Sequence, residues 1–164
     1  MRTLTTLSIL LSTIPLSACG GGGPIIEGSV DGENMGEILT AFWGGRYILF
    51  ADEELDCIDL AWVHHSYSDS APPTDLNLNI LQFTFSRGDD VFEGNFSVEG
   101  QAEVNGRFML TGPDGYEEYR ARSGFLNISE ATGHGDVTGT FDLEFEEGNL
   151  NGEFTVEWCV NLPD

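Results

Sequence analysis

Three histidines, His64, His65 and His134, and 28 acidic side chains are the groups through which this chain could do acid–base or metal chemistry. A catalytic zinc site takes three protein ligands and keeps one position open. His64 and His65 are adjacent, and in a strand adjacent side chains point to opposite faces. "WVHH" therefore reads as the end of a strand with one imidazole inward and one outward, and His134, between Gly133 and Gly135, reads as a turn residue. No Gly-x-Ser-x-Gly elbow is present for a serine nucleophile. Carboxylate pairs, the equipment of glycoside hydrolysis, are so abundant that no pair stands out.

Hard cations prefer oxygen ligands, so Ca²⁺ is the one cofactor to consider. The candidate clusters are Asp31-Gly32-Glu33-Asn34, Asp52-Glu53-Glu54 with Asp56, and Asp89-Asp90, none with EF-hand spacing. On the last hairpin, Asp142 and Glu144 face Glu153 and Glu157. A four-residue turn at 146–149 would set Asp142 opposite Glu153, and a two-residue turn at 148–149 would set Glu144 there. Either register places like charges across the ladder, where they destabilise and where a divalent cation could bind.

The three cysteines divide by position. Met1-Arg2-Thr3 carries one positive charge, Leu4 to Leu16 is uncharged, and small residues stand at Ser17 and Ala18. This is the layout of a cleavable export signal. The run is too short, and too interrupted by Pro15, for a membrane span of about 20 residues. The tetrad Leu16-Ser17-Ala18-Cys19 resembles the lipobox of bacterial lipoproteins. That resemblance implies a diacylglycerol on the Cys19 thiol, cleavage before Cys19 and an acylated amino terminus. Two or more acyl chains make a durable anchor where one gives only marginal binding. Gly20 stands where inner-membrane retention uses aspartate, so the resemblance points to the outer membrane of the cell envelope. With Cys19 lipidated, Cys57 and Cys159 remain as a pair in an oxidising compartment and are expected to form a disulfide.

Removal of residues 1–18 leaves 146 of the 164 residues, enough for one core, and loss of Arg2 takes the formal charge from −22 to −23. Lysine is absent and the remaining arginines are scattered. Nucleic acid is excluded as a partner, since phosphates would meet no basic patch. The lipid bilayer is engaged through the Cys19 acyl chains alone, and an envelope protein or glycan is the expected ligand class.

These groups must be positioned by strands. The Gly-rich stretch from Cys19 to Gly36 lacks periodicity and reads as a flexible tether. Period-two alternation dominates residues 37–164, and no window repeats apolar residues at helical spacing. Ala41–Trp43 and Tyr47–Phe50 flank a turn at Gly44-Gly45. Leu76, Leu78 and Ile80 alternate, then Leu81, Phe83 and Phe85 take over, a slip that reads as a β-bulge. The segment 68–75 and Gly112-Pro113-Asp114-Gly115 read as loops. In the last hairpin, Val137, Gly139, Phe141, Leu143 and Phe145 on one strand and Leu150, Gly152, Phe154, Val156 and Trp158 on the other form the inward face. With "SGFLNIS" upstream, this "GxF … GxF … C" ending resembles the C-terminal part of β-rich bacterial lipoproteins of unassigned activity. The expected fold is all-β, an antiparallel sandwich of about 8–10 strands, with a barrel as the alternative. The expected function is a non-enzymatic binding or structural domain. The alternatives are an envelope hydrolase of glycan or ester bonds and a Ca²⁺-stabilised adhesion module.

Overall fold

The computed structural model describes residues 23–61, 77–86, 91–99, 103–112 and 115–162. Cys19, His64, His65, the 68–75 loop, Asp89, Asp90, Pro113 and Asp114 lie outside them.

Among the described residues there are ten strands: β1 (Ile25–Val30), β2 (Thr40–Gly44), β3 (Tyr47–Ala51), β4 (Asn79–Phe85), β5 (Gly94–Ser97), β6 (Val104–Gly112), β7 (Gly115–Arg120), β8 (Ser123–Ala131), β9 (Val137–Glu144) and β10 (Gly148–Trp158). Among the described residues, 57–61 are helical, here α1. The strand order is β5-β8-β9-β10-β2-β3-β4-β6-β7, with β1 added on β10, and the sheet curls into a half-barrel. The all-β expectation holds.

Strand β10 is the pivot, because it is 11 residues long and has three partners. On one side it pairs with β9 throughout. On the other, Gly148–Glu153 pairs antiparallel with β1, while Glu157 and Trp158 pair in parallel with Phe42 and Trp43 of β2. Strand β1 falls inside the stretch expected to be tether. The expectation fails there because Ile26 and Val30, four residues apart on one face, pack into the core while Gly28 between them crosses close to Asn149. A three-residue apolar signal interrupted by glycine is too weak to read as a strand.

Inside the curl lies the main core, centred on Phe50, Phe83, Phe141 and Phe154, whose ring centroids stand 5.2–6.4 Å apart. The expected inward sets of the last hairpin supply much of it: Val137, Phe141, Leu143, Phe145, Leu150, Phe154 and Val156 are all buried. A second, smaller cluster sits on the opposite face of β3 and β4, where Leu49, Leu78, Ile80 and Met109 are covered by Leu60 and Ala61 of α1 and by Leu162.

That second cluster explains the phase slip in β4. No bulge occurs there, since the ladders to β3 and β6 run without a break. Instead the strand is buried on both faces: Leu81, Phe83 and Phe85 enter the main core, and Leu78 and Ile80 enter the second cluster. A strand with two apolar faces has no alternation to display. The register break is in β8, between Ile128 and Glu130. The β2–β3 turn also moves by one residue. Gly44 pairs with Tyr47, and the turn is Gly45-Arg46, with Gly45 at φ +48°. Gly44 is needed for another reason: a Cβ there would stand 2.4 Å from the carbonyl oxygen of Cys159.

Candidate functional site

The expected disulfide is present. Cys57 and Cys159 are bonded with Cα atoms 5.5 Å apart and a sequence separation of 102. Local chemistry brings Cys57 into place. Asp56 Oδ1 accepts the N–H groups of Ile58 and Asp59, each at 2.8 Å, which caps the start of α1. Thr40 fixes the approach to that cap, donating to the Glu53 carbonyl and accepting from the Leu55 N–H, both at 2.7 Å. On the other side, the Cys159 N–H bonds the Trp43 carbonyl at 2.7 Å. The bridge thus clamps α1 over the second cluster.

The acidic candidates are not brought together. The observed register sets Asp142 opposite Asn151, Glu144 opposite Asn149 and Glu153 opposite Thr140, while Glu157 lies at the β2 junction. Neither expected like-charge pairing occurs, because Phe145 bonds Gly148 and the turn falls at 146–147, earlier in the chain than the centre of either assumed turn. Asp142, Glu144 and Glu153 therefore face amide or hydroxyl side chains across the β9–β10 ladder, and with Glu157 they form no common metal site among the described residues. Among the described residues, no three His, Cys, Asp or Glu side chains converge as a metal would require. In the other described clusters, carboxylates have structural duties. Asp56 is a helix cap, and Asp52 Oδ1 accepts the Asn79 N–H at 2.7 Å.

Asp52 is half-buried, and that burial, with the Glu53 charge beside it, pushes its carboxyl above the usual value of 3.8 despite the hydrogen bond from Asn79. A carboxyl with a raised folded-state pKa stabilises the fold below its unfolded value and loses that contribution as pH rises through the folded one. Asp52→Asn keeps the oxygen acceptor and removes the charge. Its melting temperature should exceed that of the parent at pH 7, and the gap should close below about pH 4. Thermal melts across pH check this, and a gap that is constant with pH would contradict it.

Two polar groups carry no mark in the sequence, one joining distant parts of the curl and one within the β6–β7 hairpin. The Tyr119 hydroxyl on β7 lies 2.6 Å from Glu117 Oε2 and 3.0 Å from Asp31 Oδ2 in the turn after β1. One proton between two carboxylates holds this phenol well above its usual range, the Glu117 hydrogen bond being the main cause. On β6 and β7, Glu118 bonds Arg120 at 2.6 Å and Arg107 at 3.2 Å. Burial raises its pKa, but the two guanidinium groups outweigh burial and leave it below the usual range.

His134 has the turn position expected of it, and its ring does more than the turn requires. It stacks on Trp158 with centroids 3.9 Å apart and planes within 10°. The same turn accepts a hydrogen bond at 2.8 Å from Trp43 Nε1 to the Gly135 carbonyl. Trp43 and Trp158 are register partners across the β2–β10 junction. The two tryptophans and the imidazole lock the β8–β9 turn onto the place where the two halves of the curl meet.

Beside this junction the sheet opens. Because β1 leaves β10 after Glu153 and β2 joins only at Glu157, Thr155 borders a shallow depression of about 420 Å³ lined also by Pro24, Leu39, Phe42, Asp136 and Glu157. A neighbouring depression of about 320 Å³ is lined by Ile25, Asn127, Thr140 and Glu153. The chain enters the domain here. No protein family, curated protein or solved structure matches this chain. Among the described residues no metal-ligand set converges, and the geometry offers a clamped polar β-surface with its entry point at this opening.

Proposed function

We propose that the chain is an exported lipoprotein, anchored in the bacterial outer membrane through Cys19, whose β-domain serves as a non-enzymatic binding or structural module. The observation that carries this is the tetrad Leu16-Ser17-Ala18-Cys19 at the end of an uncharged export signal. The Cys57–Cys159 bond supports it, since such bonds persist in oxidising compartments. The strongly negative charge supports a partner other than nucleic acid, an envelope protein or a glycan. Within this reading the fold is a sandwich, supported by the two strand groups facing each other across one phenylalanine core and by β5 and β7 standing at opposite ends of the strand path.

Metabolic labelling with a radioactive fatty acid tests the anchor. Label should enter the wild-type protein and be lost in Cys19→Ala, with the protein leaving the membrane fraction or keeping its leader. Label retained by Cys19→Ala overturns the proposal.

A further inference from the structure

We infer that the anchored domain lies against the bilayer by the opening in its sheet, with Ile25 and Leu39 at the level of zwitterionic headgroups, rather than standing off on a free tether. This rests on the lipidation of Cys19.

The covalent chain sets the limit. Strand β1 begins at Ile25, six residues after Cys19. Six residues span at most about 20 Å even when fully extended. A domain of this length is roughly 35–40 Å across. The leash is shorter than the body it holds.

Its attachment point is defined too. Ile25 pairs with Glu153 and Val30 with Gly148, so β1 runs about 17–20 Å away from the entry point to the turn at Asp31-Gly32. To bring that turn or the neighbouring Glu147 to the membrane, the leash would have to retrace β1 with no length left over. Only surfaces around the opening can reach the headgroups. Those surfaces carry two of the large exposed apolar side chains, Ile25 (53% exposed) and Leu39 (51%). Around them stand Asp136, Glu153 and Glu157. Carboxylates beside apolar groups match ammonium-bearing zwitterionic headgroups and would be repelled by an anionic surface.

The test uses the lipidated, isotope-labelled protein in nanodiscs of zwitterionic lipid, a small share bearing a headgroup gadolinium chelate. Amide signals of Ile25, Leu39 and Thr155 should broaden several-fold more than those of Gly32 and Glu147. A Gly/Ser insert of about ten residues between Gly22 and Gly23 should remove the selectivity. Uniform broadening, or strongest broadening at Gly32 and Glu147, in a protein shown by mass spectrometry to carry its acyl chains overturns the inference and leaves the anchor intact. Absence of acyl chains overturns both.

Discussion

Reduction of the Cys57–Cys159 bond should lower the stability of the domain by about 4–5 kcal/mol, the chain-entropy cost of releasing a loop of this size. The bonded cysteines are 102 positions apart, and the closed loop includes seven of the described strands, β3 lying just before it and β10 ending just inside it. Because whole-domain stabilities are about 5–15 kcal/mol, this is a third or more of the total. The melting temperature should fall by roughly 10–20 °C. The loss should also have a location. Once unclamped, α1 keeps only its Asp56 cap and its contacts with the second cluster, so hydrogen exchange should accelerate first at Leu60, Leu78 and Ile80 and last around Phe141. Melts with and without reductant, and a Cys57→Ser/Cys159→Ser variant that matches the reduced protein, measure this. A shift under about 2 °C would show that the bond closes a loop already closed by the sheet.

The second large effect concerns the glycine–phenylalanine pairs of the last hairpin. Gly139 is the register partner of Phe154, and Gly152 is the register partner of Phe141. Each ring lies over the opposite glycine: a Cβ on Gly139 would meet Phe154 Cζ at 2.7 Å, and one on Gly152 would meet Phe141 at 3.1 Å. Glycine interrupts a strand and exposes its backbone, and an aromatic ring across the ladder covers that exposure. Phe154→Ala should therefore cost about 3–5 kcal/mol, since it empties a site in contact with Phe50 and uncovers Gly139 as well. Gly139→Ala should cost about 1–3 kcal/mol by overpacking, the β8 carbonyl of Asn127 at 2.4 Å leaving the new methyl no way out. Combined, the two changes should destabilise by less than their sum, because one of the two clashes disappears with the ring. Denaturant titrations of the two single variants and the double variant test the coupling, and strict additivity would refute it.

These pairs show what was legible in the sequence. "GxF … GxF" gave the inward face of β9 and β10 by alternation alone, and Phe141, Phe154 and their neighbours are indeed the core. Alternation cannot, however, fix register when the turn is uncertain. The hairpin closes at Gly148, with the Phe145 N–H on the Gly148 carbonyl at 3.0 Å, and that difference from either assumed turn moved Glu153 from a carboxylate to Thr140. The two-faced burial of β4 was illegible for a different reason: its outer face is covered by Leu60 and Ala61 of α1, a contact distant in sequence that no local alternation displays. Strand β1 gave almost no signal because Gly28 occupies its centre, at φ +107° with the Asn149 carbonyl against it. The Trp43–Gly135 and His134–Trp158 contacts could have been suspected only from an imidazole set between two glycines, a turn with room for a ring to lie flat.

The three partners of β10 also impose an order of events. Among the described strands nine precede it, and β9, β1 and β2 are joined in the sheet through it. A chain emerging amino terminus first can make the β2–β3 and β6–β7 hairpins as it appears, but the two halves of the curl have no common strand until Trp158 is out. Cys159 follows immediately, so the covalent clamp and the last ladder become available together. Contacts that span most of the chain are slow to form, and the two halves of the curl stay unjoined for as long as the last strand is withheld. Under the export proposed above, that delay is an advantage: the fold cannot complete on the wrong side of a membrane before the strand that closes it has been made.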